Sequence, residues 1–415
     1  MQIVADVGGI PGKDCDGFCK YCYFRKVKDV KAFGCAHCLP NTIGCERCSK
    51  GVSETQSEFK NPFEVITNIQ TTLMMQPIRG EIKANISGGG DISCYPYLED
   101  LTAALNQMSL KSHLGYTSGK GIKDVSMASK LIDNGVDEVT FTVFADNPEL
   151  RREWVKDRTP EASLDACKMF AENIDLTAAS VIVPGVNDGD VLRQTCNSLE
   201  EWGAKGIILM RFANTFNEGL ILGNEPILKD FESQSVESFQ ELVESIDKEY
   251  GFRVSGTPLG DPTTGGPFAI AKDENEIFLQ FIKEVTGEAT IITSKIAAPF
   301  IERIFEKIGA DSVNVIPVEK EIACLITKED LENIDLSEVQ ESVIIPGRAF
   351  VHLLDAERIL SSDGVERIVG YGPDTLSVDG ELSFDMIDEN VIERELEQFN
   401  DLVDAINFYG MKRRF

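Results

Sequence analysis

Three cysteines near the start of the chain, Cys15, Cys19 and Cys22, lie in the run Asp14-Cys15-Asp16-Gly17-Phe18-Cys19-Lys20-Tyr21-Cys22-Tyr23-Phe24. Thiolate sulfur is the preferred ligand of iron–sulfur clusters, so three thiolates on one short loop suit three irons of a [4Fe–4S] cube. A purely structural cluster would take a fourth cysteine; three leave one iron open to another molecule. Zinc would ask for four ligands, usually in paired C-x2-4-C units. Buried apolar cysteines do not sit among Asp14, Asp16, Gly17 and Lys20.

A C-x3-C-x2-C spacing followed by an aromatic residue resembles the mark of the radical S-adenosylmethionine (SAM) superfamily. That resemblance implies that the open iron takes the amino and carboxylate groups of SAM, which is then cleaved reductively to a 5′-deoxyadenosyl radical. A second cysteine group follows at once. Cys35-x2-Cys38 and Cys45-x2-Cys48 form two knuckles separated by six residues. Two such turns supply a tetrahedral set of thiolates, suited to structural zinc or to a mononuclear iron.

The rest of the composition bounds the setting. With 415 residues there is material for two or three domains. A formal charge of −29 argues against nucleic acid as a partner, because phosphate backbones select basic surfaces. The one basic stretch runs from Lys20 to Lys31, beside the cysteine loop, where it can balance the charge of a cluster. No signal peptide and no apolar run long enough to span a bilayer is present, so a cytoplasmic, reducing location is expected. Seven of the eleven cysteines fall before residue 50, which reads as metal ligation rather than as disulfides.

Apolar strand-like runs at 2–7, 82–87, 114–117, 139–144, 178–183 and 207–212 alternate with helical patterns near 62–75, 97–107, 122–134, 162–172 and 191–202. Such alternation means a parallel sheet with outer helices, and six units predict a partial (β/α)6 barrel of the radical SAM kind. Function in these architectures gathers at the carboxyl ends of strands. The second strand ends in Gly88-Gly89-Gly90-Asp91, the place where the superfamily receives the SAM amino group. The third ends in Tyr116-Thr117-Ser118-Gly119, where hydroxyls and a glycine resemble ribose and carboxylate contacts. Ser180 opens the segment that resembles the adenine flank, and Arg211 is placed to face an anion. After the fourth strand, Trp154 and Asp157 are three residues apart, as on one helical face, where they would hold a cationic substrate. Tyr116 and Asp157 are the candidate catalytic side chains.

Five segments are expected: 1–30, the first strand and cluster loop; 31–58, the four-Cys metal loop; 59–255, the partial barrel; 256–272, a Gly- and Pro-rich linker or closing loop; and 273–415, a C-terminal α/β domain. In the last, β-rich runs at 289–293, 313–318 and 343–345 go with helices near 274–285, 299–307 and 390–407, and Ser294, Lys295 and Gly347 stand where strands end, good positions for a ligand.

With these residues in hand, the whole chain resembles the methanogenesis marker ten family, archaeal radical SAM methyltransferases. The resemblance implies a cobalamin-dependent methyl transfer to the sp3 Cδ of an arginine in the methyl-coenzyme M reductase alpha subunit. It implies cobalamin on the C-terminal domain, a mononuclear iron on Cys35, Cys38, Cys45 and Cys48, and Tyr23 within reach of the cluster's open iron. An sp3 carbon is not nucleophilic, so a radical must first remove a hydrogen atom before a methyl group is delivered. The three histidines, His37, His113 and His352, lie in no D-x-H-x-x-G motif. Cobalamin would therefore rest without a protein His ligand, over apolar residues such as Ile322 or Leu325. Two other readings compete: a B12-independent radical SAM modifier of peptides or proteins, and an iron–sulfur electron carrier. No motif names the reductant.

Overall fold

A computed structural model of the chain describes residues 2–26, 58–75, 82–215, 217–218, 226–373, 376 and 388–411. The predicted four-Cys loop at Cys35, Cys38, Cys45 and Cys48 lies outside these residues, and so does the side chain of Tyr23. The described residues divide into two compact units. One takes those up to 212 together with 226–254, and the other takes 213–218 and everything from 255 onward.

The first unit is built on strands β1 (Gln2–Asp6), β2 (Lys83–Ser87), β3 (Lys111–Thr117), β4 (Val136–Thr142), β5 (Asp175–Ile182), β6 (Gly206–Arg211) and β7 (Arg253–Thr257). They lie side by side in chain order in one sheet, and the pairs from β1–β2 to β5–β6 are all parallel. No pairing joins β1 to β7 among the described residues, so the sheet is an open, partial barrel. The composition of the runs predicted six strands. The seventh, Arg-Val-Ser-Gly-Thr, is short and carries Gly256, which weakens its strand signal.

Crossover helices cover the outside: α1 (Pro62–Met75), α2 (Leu98–Gln107), α3 (Ser126–Asp133), α4 (Pro160–Asn173), α5 (Gly189–Trp202) and α6 (Val236–Glu249). Each buries one stripe. In α6 the buried residues are Phe239, Val243 and Ile246, at steps of four and three, and each contributes about 1.5–3 kcal/mol. Ser235 starts this helix by accepting the Ser238 N–H at 3.1 Å. The core formed with β1–β6 is continuous, from Ile3 and Val7 to Leu209 and Val254.

The second unit has its own parallel sheet of β8 (Ala289–Ser294), β9 (Val313–Val318), β10 (Ser342–Ile345) and β11 (Ile368–Tyr371), in the order β11-β10-β8-β9. Helices α7 (Ala298–Lys307), α8 (Lys328–Glu332), α9 (Leu353–Leu360) and α10 (Asp388–Tyr409) accompany it. Alternation along the strands feeds two separate cores. Ile291 and Ile344 enter one with Phe305, Phe399 and Ile406, while Ile292, Val343 and Ile345 enter the other with Ile326 and Leu360. β8 is covered on both faces and buried throughout, and its polar residues are satisfied internally: the Thr290 hydroxyl donates to Asn314 Oδ1 at 2.7 Å and the Thr293 hydroxyl to Leu376 O at 2.6 Å.

Two expectations change here. The helix predicted near 274–285 is instead a 3-10 stretch, Asp273–Phe281, with three acidic residues in its first turn and only Leu279 buried. The linker reading of 256–272 also fails at its end, because Phe268, Ala269, Ile270 and Ala271 are buried in the second unit's core. Among the described residues no helix is long and apolar enough to cross a membrane.

Candidate active site

The cysteine loop lies at the carboxyl end of β1 and is held by its own backbone. Asp14 N–H donates to Ile10 O at 2.8 Å, Gly17 N–H to Gly12 O at 3.0 Å, and Cys22 N–H to Cys19 O at 3.2 Å. The glycines after β2 allow this loop to sit close. A Cβ on Gly88 would meet Gly8 O at 2.2 Å, and one on Gly90 would meet Asp14 O at 2.9 Å. Gly89, between them, is half-buried. The run therefore has a packing role in joining β2 to the cysteine loop.

Asp91 is the centre of the next layer. Its Oδ1 accepts the Ser93 N–H and the Thr117 hydroxyl, both at 3.0 Å, and the Ser93 hydroxyl; its Oδ2 accepts the Ser118 N–H at 2.9 Å and the Ser118 hydroxyl. Asp91, Thr117 and Ser118 are thus brought together as the sequence suggested, but as partners of one another. Their bonds tie the end of β2 to the end of β3. Tyr116 is 40 % exposed at that strand end, within a break in the β3–β4 register between Leu114 and Thr117.

Lys120 is the residue that the sequence did not single out. It is buried, and its Nζ donates to Gly17 O at 2.6 Å and lies 3.9 Å from Cys19 Sγ. A buried ammonium is costly unless charge compensates it, and its charge acts on Cys15, Cys19, Cys22 and Cys94 alike. Burial pushes the thiols up, Cys22 to about 12 with Cys19 adding to the effect. Burial likewise pushes Cys94, in the short turn Ile92–Cys94, to about 12, with further contributions from Asp91 and Cys15. The Tyr21 hydroxyl is buried beside Cys19, and it too is pushed well above its ordinary value, first by burial.

This donor set fits a cube. Among the described residues no three His, Cys, Asp or Glu side chains converge on a single ion. A cube instead places each thiolate on its own iron. Iron takes the thiolate, so each thiol must give up its proton on ligation, and the Lys120 cation beside the loop favours the charged form against the effect of burial.

The pairing of Trp154 with Asp157 is overturned. Residues Arg151–Val155 form a π-helical turn, and Lys156 then adopts a left-handed conformation (φ 64°), so regular helical spacing does not apply. Asp157 is buried and faces Arg151, whose Nη2 and Nε lie 2.9 and 3.2 Å from its Oδ2. Arg151 also donates to Thr142 O, Val143 O and Ser118 O. Asp157 therefore holds an internal cation rather than a substrate. Trp154 joins a ring stack instead, with Phe144 at 6.0 Å and Tyr21 beyond it at 5.1 Å.

Ser180 is likewise turned inward. It is fully buried, donates to Phe144 O at 3.0 Å, and accepts from Asn187 Nδ2 at 3.2 Å. It supports the strand end and is not available as an adenine contact. Arg211, half-buried at the end of β6, donates through Nε to Gln234 O at 2.7 Å.

Residues 10–193 match the model of the Radical SAM superfamily. This segment is a radical SAM domain. It begins just before the cysteine loop and ends inside α5, so it contains the three cysteines, Asp91, Thr117, Ser118, Lys120, Arg151, Asp157 and Ser180, while Arg211 lies beyond it. No curated protein matches the sequence. Similar solved structures include Streptococcus suis SuiB (13% identity, 64% of this chain and 51% of that one, TM-score 0.41). A radical SAM methyltransferase from Sphaerobacter thermophilus is 16% identical over 50% of this chain and 60% of its own, with a TM-score of 0.33. Kitasatospora setae TsrM, a radical S-adenosylmethionine methyltransferase, is 12% identical over 81% and 58%, with a TM-score of 0.32. The chain spans about half of the length of the SuiB structures, and none of these scores reaches 0.5.

In the second unit, the strand order marks a candidate ligand position of a different kind. The order reverses between β8 and β10, and ligands in open parallel sheets bind outside the carboxyl ends at such a switch point. Ser294 ends β8, fully buried, and its Oγ accepts the Ala297 N–H at 3.2 Å as α7 begins. Lys295 follows, with its N–H donating to Val318 O and Lys320 O, and its Nζ 3.8 Å from Glu321. Across the switch point stands Gly347, where a Cβ would meet Gly372 O at 2.5 Å. Leu325 is half-buried in the turn Ala323–Leu325, after the β9 end. Lys320, missed in the sequence, is fully buried 3.7 Å from Asp330, and burial lowers its pKa to about 8. His352 caps α9, its Nδ1 accepting the Leu354 N–H at 3.2 Å.

Proposed function

We propose that this chain is a radical SAM methyltransferase that uses cobalamin to methylate the Cδ of an arginine in the methyl-coenzyme M reductase alpha subunit. The observation that carries the two-cofactor reading is the second parallel sheet, whose reversal point lies between Ser294-Lys295 and Gly347. A radical SAM domain alone needs no such crevice.

When bound, a [4Fe–4S] cluster with SAM supplies hydrogen-atom abstraction, and a corrinoid supplies the methyl group. The chain's share is holding and shielding. Cys15, Cys19 and Cys22 hold the cluster, and the Lys120 ammonium offsets its negative charge. Asp91 fixes the ends of β2 and β3 through Thr117 and Ser118, so the mouth is shaped before any ligand arrives. Arg151 and Asp157 do the same for the loop after β4. In the second unit, Gly347 lets the ends of β10 and β11 pack closely at one side of the reversal point, and the half-buried Leu325 and Ile322 after β9 would offer apolar surface to a corrinoid. The four cysteines from Cys35 to Cys48 would hold a structural zinc or a mononuclear iron.

The test is anaerobic reconstitution with iron, sulfide and cobalamin, followed by desalting and visible spectroscopy. Retained corrinoid bands together with an iron–sulfur shoulder are expected. Incubation with SAM, a reductant and an arginine-containing peptide of the reductase should then give a product heavier by one methyl group. Retention of the cluster without corrinoid would point to the B12-independent modifier instead.

A further inference from the structure

The radical SAM domain needs an electron from outside, and one face of it is built to receive it. The whole chain carries a formal charge of −29. Yet Lys20, Arg25, Arg152, Lys156 and Arg158 collect around Trp154; the nearby carboxylates include Glu153, Glu161 and Asp16, paired with Lys20, Arg152 and Arg158, and Asp157, which is buried against Arg151. The cluster of charges is continuous. Arg25 donates to Lys20 O at 3.4 Å, and Lys20 N–H donates to Trp154 O at 2.7 Å. Lys20 Nζ sits 4.9 Å above the Trp154 ring and pairs with Glu153. Arg152, Lys156 and Arg158 share one shallow depression with Asp16 and Gly17 of the cysteine loop.

Under this basic surface runs a stack of rings. Trp154 lies 6.0 Å from Phe144 with 20° between planes, and Phe144 lies 5.1 Å from Tyr21 with 11°. Tyr21 stands beside Cys19, which also reaches Val155 O at 3.4 Å. Trp154 is half-buried, whereas Phe144 is fully enclosed. Near-parallel aromatic planes thus run from a partly exposed indole to the ring of Tyr21, whose hydroxyl interacts electrostatically with Cys19.

We infer that the face around Trp154 docks an acidic one-electron carrier protein, and that the Trp154–Phe144–Tyr21 stack conducts its electron to the cysteine loop. This rests on the assignment of a cluster to Cys15, Cys19 and Cys22. The carrier's reduced centre loses one electron and the cluster gains it; no bond forms or breaks, and the rings serve as a tunnelling medium. A basic patch on an otherwise acidic molecule steers an acidic partner to one orientation and repels it elsewhere. It also makes this face a poor seat for a cationic arginine side chain.

The experiment compares wild type, the double variant R152E/K156E and Trp154→Leu, each loaded with its cluster. Reduction is followed by cluster absorbance with two donors, a reduced acidic [2Fe–2S] ferredoxin and the small methyl viologen radical. Calorimetry with the cluster-free chain measures ferredoxin affinity at low and high salt. R152E/K156E is expected to lose roughly tenfold or more in ferredoxin rate and affinity, with a flattened salt dependence, and to keep its viologen rate. Trp154→Leu is expected to slow electron transfer within the complex while leaving affinity unchanged. Unchanged ferredoxin kinetics in both variants would overturn the proposal. So would equal losses with both donors, or a loss confined to capture of the protein substrate, which would give the face to substrate docking. A wild-type chain that takes up no cluster overturns the cluster assignment, and the calorimetry still decides the docking face.

Discussion

The two parallel sheets make their candidate ligand places in opposite ways. In the first, strands follow one another in chain order from β1 to β7, and the site comes from loops that bring Cys15, Asp91, Lys120 and Arg151 together over the strand ends. In the second, the order β11-β10-β8-β9 itself sets the reversal point, and Gly347 there serves close packing against Gly372. The first site is dense with internal bonds and specified by chemistry; the second is specified by topology. A sheet of sequential strands must import its chemistry, whereas a reversed sheet offers a cleft wherever the direction of winding changes.

Complete and separable losses would test that contrast most severely. Cys15→Ala, Cys19→Ala and Cys22→Ala should each abolish cluster assembly and 5′-deoxyadenosine formation while leaving corrinoid uptake intact, as read by iron analysis and visible spectra. Gly347→Val should do the reverse, since its added side chain starts 2.5 Å from Gly372 O. If either substitution removed both cofactors, the two places would not be independent.

Next in size is the buried pair under the first site. Asp157→Asn leaves the Arg151 charge enclosed without its partner, so a loss of about 3–5 kcal/mol is expected in urea unfolding. Wild-type stability in this variant would show that the carbonyl acceptors of Arg151 suffice alone. The smallest effect is a pH dependence in the second unit. Lys320 has its pKa lowered to about 8, first by burial. Below about pH 8 both folded and unfolded chains hold its proton, and the buried charge is a constant burden. Between about 8 and the ordinary 10.5 the unfolded chain still binds the proton while the folded one has released it, so stability rises with pH. The rise should be on the order of 2 kcal/mol and should disappear in Lys320→Met, measured as the denaturation midpoint across that range.

What could be read beforehand follows the same division. The spacing of Cys15, Cys19 and Cys22 was legible because ligation by one short loop is a local matter. Most strand and helix runs were legible from alternation, and α1 and β9 agree with their predicted bounds. Lys120 and Arg151 were not, because charged residues are ordinarily outside and their acceptors lie far along the chain: Gly17 is 103 residues from Lys120. The role of Asp91 was half legible. Its place at a strand end was visible, but its partners Thr117 and Ser118 arrive 26 and 27 residues later. Trp154 and Asp157 were misplaced for a purely geometric reason, a π-helical turn that breaks the 3.6-residue period. In the second unit, Ser294, Lys295 and Gly347 could be named as strand ends, but only the strand order reveals that two of those ends flank a reversal. That order depended on β11, four residues with a glycine in the middle. There Gly370 lies so close to Tyr409 that a Cβ would meet its ring at 2.3 Å.

The last helix sets a timetable for synthesis. Glu395 accepts the N–H groups of Ala269 and Ile270 across 126 and 125 residues, and Phe399, Leu402 and Ile406 complete the core that those two residues enter. In the first unit each strand finds its neighbour as soon as the next crossover has emerged from the ribosome. The second unit must wait, with Phe268 to Ala271 uncovered, until residue 406 has been made. Domains fold as units from the N-terminus during translation. The cysteine loop is therefore ready for iron while the crevice beside Ser294 is still without the helix that closes its core, and the two halves mature in that order.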